Sequence, residues 1–206
     1  MRINRKVILK ILKLDKNIYN ELASEVSNFQ IAIAIYTGGF LLSGLASVVF
    51  IRDALTYLDE NLSIFGTTLP FEQIDELNYL VNTFRSILDS QQIFGLLSNL
   101  LLSGILSGVL GVGFIYLLIS RFFRKETSYK QLAIIYGFAY VPVLFNSIIF
   151  FTDSIWLQIF LIVGTSIFSL VCLGSGLKQT YLLRNIEAFL LVVVSGFGSS
   201  LFSQVI

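Results

Sequence analysis

The residues able to do chemistry in this chain are few. There is no histidine, which removes the commonest general base near neutral pH and the commonest metal ligand. The one cysteine, Cys172, lies in an apolar run, so no internal disulfide can form. There is no His-Glu-x-x-His run and no P-loop, and Gly111-Val112-Gly113 lacks the preceding strand and later glycine of a dinucleotide fingerprint. Seven acids (Asp53, Asp59, Glu60, Glu72, Asp75, Glu76, Asp89) stand against two bases (Arg52, Arg85) between 52 and 92. Helical spacing scatters these carboxylates around a solvated face instead of converging them on a cation. The polar groups inside apolar runs are neutral: the amides Asn99, Asn146 and Gln158, and the tyrosines Tyr136 and Tyr140, four apart beside Pro142. Acid–base catalysis needs titratable groups held in a cleft. Proton relays and ion paths announce themselves by charged residues within spans, and the apolar runs hold none. The expectation is a protein that is not an enzyme, with no catalytic or metal-ligating residue and no cofactor.

The elements that carry these groups follow from composition and spacing. Hydrophobic residues make up 55 % of the 206 residues and charged ones 13 %, where soluble domains run at about 25 % charged. A net charge of +1 gives no general attraction to nucleic acid. Five long uncharged stretches predict an all-α fold, a polytopic membrane helix bundle of five transmembrane helices with amphipathic interfacial helices. The expected spans are 29–51, 93–120, 131–152, 155–177 and 188–206, with an outer loop over 52–92. Residues 1–28 form a basic amphipathic segment ahead of the membrane domain, 29–206. In that segment Ile8, Ile11, Leu12, Ile18, Leu22 and Val26 recur at helical spacing among six bases, as an interfacial helix requires. Asn28 is a candidate N-cap. In the first span Gly39, Ser43 and Ser47 make a small-residue face, and in the second Gly104-x-x-x-Gly108 is a helix-packing motif. Ser128 followed by Gln131 fits a capping box that starts the third helix. Pro142 should kink that helix near its middle, because its ring crowds the carbonyl of Phe138. In the outer loop a turn region covers 61–68, and Pro70 then opens a second amphipathic helix with Phe71, Ile74, Leu77, Val81, Phe84 and Leu88 on one face.

The run Tyr136-Gly137-Phe138-Ala139-Tyr140-Val141-Pro142 is entered from a basic stretch ending Ser128-Tyr129-Lys130. It resembles the central motif of the Yip (Ypt-interacting protein) domain family of multi-pass membrane proteins. The stretch Leu14-Asp15-Lys16-Asn17-Ile18-Tyr19-Asn20-Glu21-Leu22 is similar to the run ahead of the first span in prokaryotic members. The resemblance implies five spans and makes Tyr136, Gly137, Tyr140 and Pro142 the family-motif and hinge residues. Eukaryotic members carry a cytosolic Asp-Leu-Tyr-Gly-Pro motif linked to Rab-type GTPases. That motif is absent here, so GTPase binding is not carried over.

Of the 14 lysines and arginines, 12 fall in the N-terminal segment, the hinge 121–130 and the loop 178–187. With five spans these lie on one side, which the positive-inside rule assigns to the cytoplasm. The expected site is a bacterial cytoplasmic membrane, or a thylakoid or other organelle membrane. Asn99 and Asn146 should then sit at one depth, about 9 Å below the outer boundary, facing each other in the bundle interior as a buried polar cluster with Gln158 at its mouth. The leading functional expectation is a membrane scaffold that binds other membrane proteins or its own copies, with the lipid bilayer as its other partner; the alternative is a small-solute permease or channel. A topology reporter fused after Ile206 should read the non-cytoplasmic side, and one inserted within 121–130 the cytoplasmic side. Finding both on one side would overturn five spans.

Overall fold

A computed structural model describes residues 5–65 and 93–203 and, between them, residues 76, 79, 81–83, 85 and 86; side chains are described for 5–61, 95, 98–196 and those same loop positions. Two short helices, α1 (Arg5–Leu12) and α2 (Ile18–Ser24), precede the long α3 (Asn28–Phe65). Helix α4 (Ile93–Leu117) ends in a π-helical turn, Leu118–Phe122. Then come α5 (Tyr129–Ala139), a 3₁₀ helix over Val141–Phe151, α6 (Ile155–Tyr181) and α7 (Asn185–Ser203). There is no strand among the described residues. Among the described residues, four stretches are long and apolar enough to cross a membrane: Asn28–Asn61, Ser98–Phe122, Tyr129–Phe151 and Ile155–Tyr181. A shorter apolar helix, Asn185–Gly196, follows.

The contacts fix the direction of each helix. Phe40 lies over Gly104 and Tyr36 over Gly108, while Leu100 meets Gly44. A step of four along α3 is thus matched by a step of four back along α4, so the two run antiparallel. Along α3 again, Ala32 meets Gly137, Gly39 meets Tyr140 and Ser43 meets Asn146, so α5 and the 3₁₀ helix run parallel to α3. Helix α6 returns, with Thr165 on Asn146 and Gly176 against Ile135. The glycines of Gly104-x-x-x-Gly108 do not bring two backbones together. They are notches for two rings, and a Cβ at Gly104 would stand 2.4 Å from the Phe40 ring. Backbone contact occurs instead at Gly137, where a Cβ would lie 2.3 Å from the Ala32 carbonyl oxygen.

Three elements differ from expectation. Helix α3 continues through Arg52 and Asp53 to Phe65, into the stretch assigned to the outer loop and its turn region. Residues 52–65 contain neither glycine nor proline, and charge marks the edge of hydrocarbon without ending a helix. The proposed amphipathic face beyond Pro70 lies outside the described residues except at Val81, which is buried. The N-terminal segment is not one interfacial helix. Its two helices fold under the bundle, and Ile11, Ile18, Tyr19 and Leu22 are fully buried by the protein itself. Asn28 is not an N-cap acceptor either. It is the first residue of α3, and its side-chain amide donates to the Leu22 carbonyl at 3.0 Å.

The end that carries the basic segments is held by polar contacts. Gln179 donates to the Asp15 carbonyl (3.0 Å) and to Ser175 Oγ (2.9 Å), and accepts from the Tyr19 N–H (3.4 Å). Lys125 donates to the carbonyls of Tyr181 and Leu182, a cation capping the negative end of α6. Thr127 adds a 2.7 Å bond to the Tyr181 hydroxyl. Leu14, Arg124 and Leu182 take the left-handed conformation where α1, the π turn and α6 end, letting each helix stop abruptly at this end. The Tyr19 hydroxyl is buried with no oxygen or nitrogen partner, and desolvation pushes its pKa upward, so it stays neutral.

Gly137→Ala should lower Tm, since overpacking a contact of this kind costs about 1–3 kcal/mol. The same change at Gly164, where nothing lies within 4 Å of the new carbon, should be neutral or stabilising by up to about 1 kcal/mol. Thermal unfolding of both variants in one detergent separates the two, and equal effects would overturn the close crossing.

Candidate functional site

The polar interior is assembled where α3 meets the third span. Ser128 caps α5, accepting from the Gln131 N–H at 3.2 Å, as the capping box requires. The α-helix ends at Ala139. The Tyr140 N–H donates to the Gly137 carbonyl at 3.1 Å, and the Val143 N–H to the Tyr140 carbonyl at 3.0 Å. Pro142 has no N–H to continue the α pattern. The expected kink is realised as a change of helix type: 11 residues of 3₁₀ helix follow, far longer than the usual three or four. With three residues per turn, side chains sort into columns. Val143, Asn146 and Ile149 are buried, whereas Phe145, Ile148 and Phe151 are exposed.

At the start of this segment three tyrosines cluster. Tyr36 packs edge-on to Tyr140 with centroids 4.6 Å apart, and Tyr136 lies 5.5 Å from Tyr36 and 5.9 Å from Tyr140. The Tyr36 hydroxyl donates to the Gly104 carbonyl at 2.7 Å, tying α3 to α4. Further along, fully buried Asn146 joins three elements. Its Oδ1 accepts from Thr165 at 2.7 Å, and its Nδ2 donates to Ser43 Oγ at 3.5 Å. Between these groups lies a cavity of about 250 Å³ lined by Ser43, Tyr136, Tyr140, Ser166, Ser169 and Ser195 together with apolar residues such as Phe40, Val143 and Leu173.

Tyr136, Gly137, Tyr140, Pro142 and Asn146 therefore belong to one region, with Gly104 and Gly108 seated against its α3 side. Asn99 does not join it. It is exposed, and the expected pairing with Asn146 fails. The face of α4 turned to α3 is set by Leu100, Gly104 and Gly108; Asn99 sits about 100° round the helix from Leu100. Gln158 is fully buried but stands apart, seven residues, about 10 Å, along α6 from Thr165. Its amide donates to Asp53 Oδ2 at 2.7 Å and to the Thr152 carbonyl at 2.8 Å, pinning the C-terminal extension of α3 to the turn before α6. Its Oε1 has no partner.

Sequence reasoning overlooked Tyr36, Thr165 and the lining serines as members of this site. The legible signals were a tyrosine within the first span and the polar step Gly164-Thr165-Ser166 midway along the fourth. The polar groups the arrangement presents are hydrogen-bonding hydroxyls and an amide. The cavity is lined by neutral groups, and no cluster of metal-ligating side chains occurs among the described residues.

Helices of this length and apolarity, packed around neutral polar side chains, define an integral, multi-span helical membrane protein. The model of the Yip1 domain matches residues 33–205, so the chain belongs to the Yip1 domain family. The match includes the tyrosine cluster and Pro142 and begins after the 14–22 stretch that also resembled the family. No curated protein and no solved structure matches the chain.

Asn146→Leu should weaken the bundle by about 0.6–2 kcal/mol, the usual worth of interhelical hydrogen bonds in membranes, without abolishing folding. Asn99→Leu should change stability by less than about 0.5 kcal/mol. Denaturant titration of helicity in mixed micelles reads both, and a larger loss at Asn99 would contradict the geometry.

Proposed function

We propose that this chain is a non-enzymatic scaffold of the membrane. Its basic end and N-terminus face the cytoplasm, its acidic 52–92 region and C-terminus face the other side, and it acts by holding other membrane proteins or copies of itself. The observation that carries this reading is the use made of the buried polar groups. Asn146, Thr165, Ser43 and Tyr36 bond helix to helix within the chain, so they maintain one rigid body and leave an apolar exterior for lipid and partner helices. Small residues remain on that exterior. A Cβ at Gly38, Gly113 or Gly164 would meet nothing within 4 Å, so another helix can approach closely there. GTPase binding has no support in the sequence.

The cavity lined by serines and tyrosines favours a second reading, a permease for a small neutral solute. Crosslinking in native membranes, with identification of the products, tests the first, and flux into proteoliposomes tests the second. The scaffold reading expects discrete crosslinked protein partners or homo-oligomers and no solute-selective flux. Selective flux that falls in Ser169→Val would replace it with the permease.

A further inference from the structure

We propose that the groove between α6 and α7 holds an acyl chain of an anionic phospholipid, with the headgroup at Lys178. The groove has a volume of about 750 Å³ and opens between α6 and α7, adjoining the cavity beside the tyrosine cluster at Leu170 and Gly196, which line both. Its walls are apolar, with Ile167, Leu170 and Val171 on α6 and Phe189 and Val192 on α7, while Gly174 and Gly196 leave room between them. Its charged and amide groups lie together at one end, Lys178 from α6 and Asn185 from the start of α7.

From Ile167 to Lys178 the helix rises about 16 Å, close to half of the ~30 Å hydrocarbon core. The groove thus has the depth of one leaflet, apolar at acyl level and cationic at headgroup level. This asymmetry suits an amphiphile with an anionic head. Apolar walls and a cationic mouth within the depth of one leaflet are the charge and polarity complement of a single anionic lipid. Lys125 and Arg184 add positive charge to the same end of the bundle. Lys125 is engaged on the Tyr181 and Leu182 carbonyls. Acids at the same end include Glu187, whose carboxylate accepts the Arg184 N–H at 2.8 Å, Asp15, whose backbone carbonyl accepts from Gln179 beside Lys178, and Glu126 beside Lys125. Lys178 is exposed at the mouth, and basic pockets between transmembrane helices are established sites for anionic headgroups.

The test uses the full chain in detergent and native mass spectrometry, with dioleoylphosphatidylglycerol and dioleoylphosphatidylcholine as probes. The anionic lipid should bind about fivefold more tightly, the contribution of one basic residue near the surface. Lys178→Gln should remove that preference and leave phosphatidylcholine binding as it was. Gly174→Leu should reduce binding of both lipids, because a Cβ there meets only Val192 at 3.5 Å and the longer side chain fills the groove. Lys10→Gln, at a residue 3.8 Å from Glu21, should keep the preference. Equal binding of the two lipids, a preference that survives Lys178→Gln, or a lipid-free dimer that Gly174→Leu dissociates would each overturn the proposal.

Discussion

The crossing of α3 over α5 at Gly137 is the constraint on which the rest of the interior depends. With the Ala32 carbonyl against Gly137, there is no room for any side chain between the two backbones. Closeness at that point brings the next turns of α3 into register one after another. Tyr36 reaches Tyr136 and Tyr140, Gly39 takes the Tyr140 ring and carbonyl, and Ser43 comes to Asn146. Positions 32, 36, 39 and 43 follow the alternating steps of four and three that keep one seam of a helix turned to its neighbour. The same helix presents Phe40 and Tyr36 to the notches in α4. One helix therefore organises two others, and the cavity is the space left where the tyrosines splay from the serines of α6 and α7.

A second set of contacts closes one end. The hinge after α4, the end of α6 and the N-terminal helices would otherwise be three separate loose ends. Lys125 and Thr127 fix the first to the second, and Gln179 fixes the second to the third. The basic residues that mark this end by their number also have a structural use there, since a cation at a helix C-terminus meets unsatisfied carbonyls.

Much of the architecture was legible because hydrocarbon imposes simple lengths and excludes charge. The long apolar helices, the Ser128 cap and the break at Pro142 follow from composition, capping chemistry and a missing N–H. What was not legible depended on which face of a helix finds a protein neighbour. Asn99 and Asn146 have the same depth by counting, yet depth says nothing of azimuth, and Leu100 with the two glycines decided it. The basic N-terminal pattern is the same for a helix on lipid and a helix under a bundle; Gly176 opened space for Tyr19 against α6, and no periodicity reports that. Arg52 and Asp53 looked like a helix boundary because charge ends an apolar run, and α3 simply continues past them to Phe65.

The 3₁₀ helix gives the second half of the third span its own rule for changes in chain length. Its environments repeat every three residues, and Val143, Asn146 and Ile149 share one straight inward line while Phe145, Ile148 and Phe151 share an outward one. Removing or adding one residue between Pro142 and Asn146 would turn everything beyond it by about 120°, carrying the asparagine away from Ser43 and Thr165. An insertion of four, which nearly restores the face of an α-helix, would misplace it just as badly here. Only insertions or deletions of three preserve both the inward amide and the outward line of Phe145, Ile148 and Phe151.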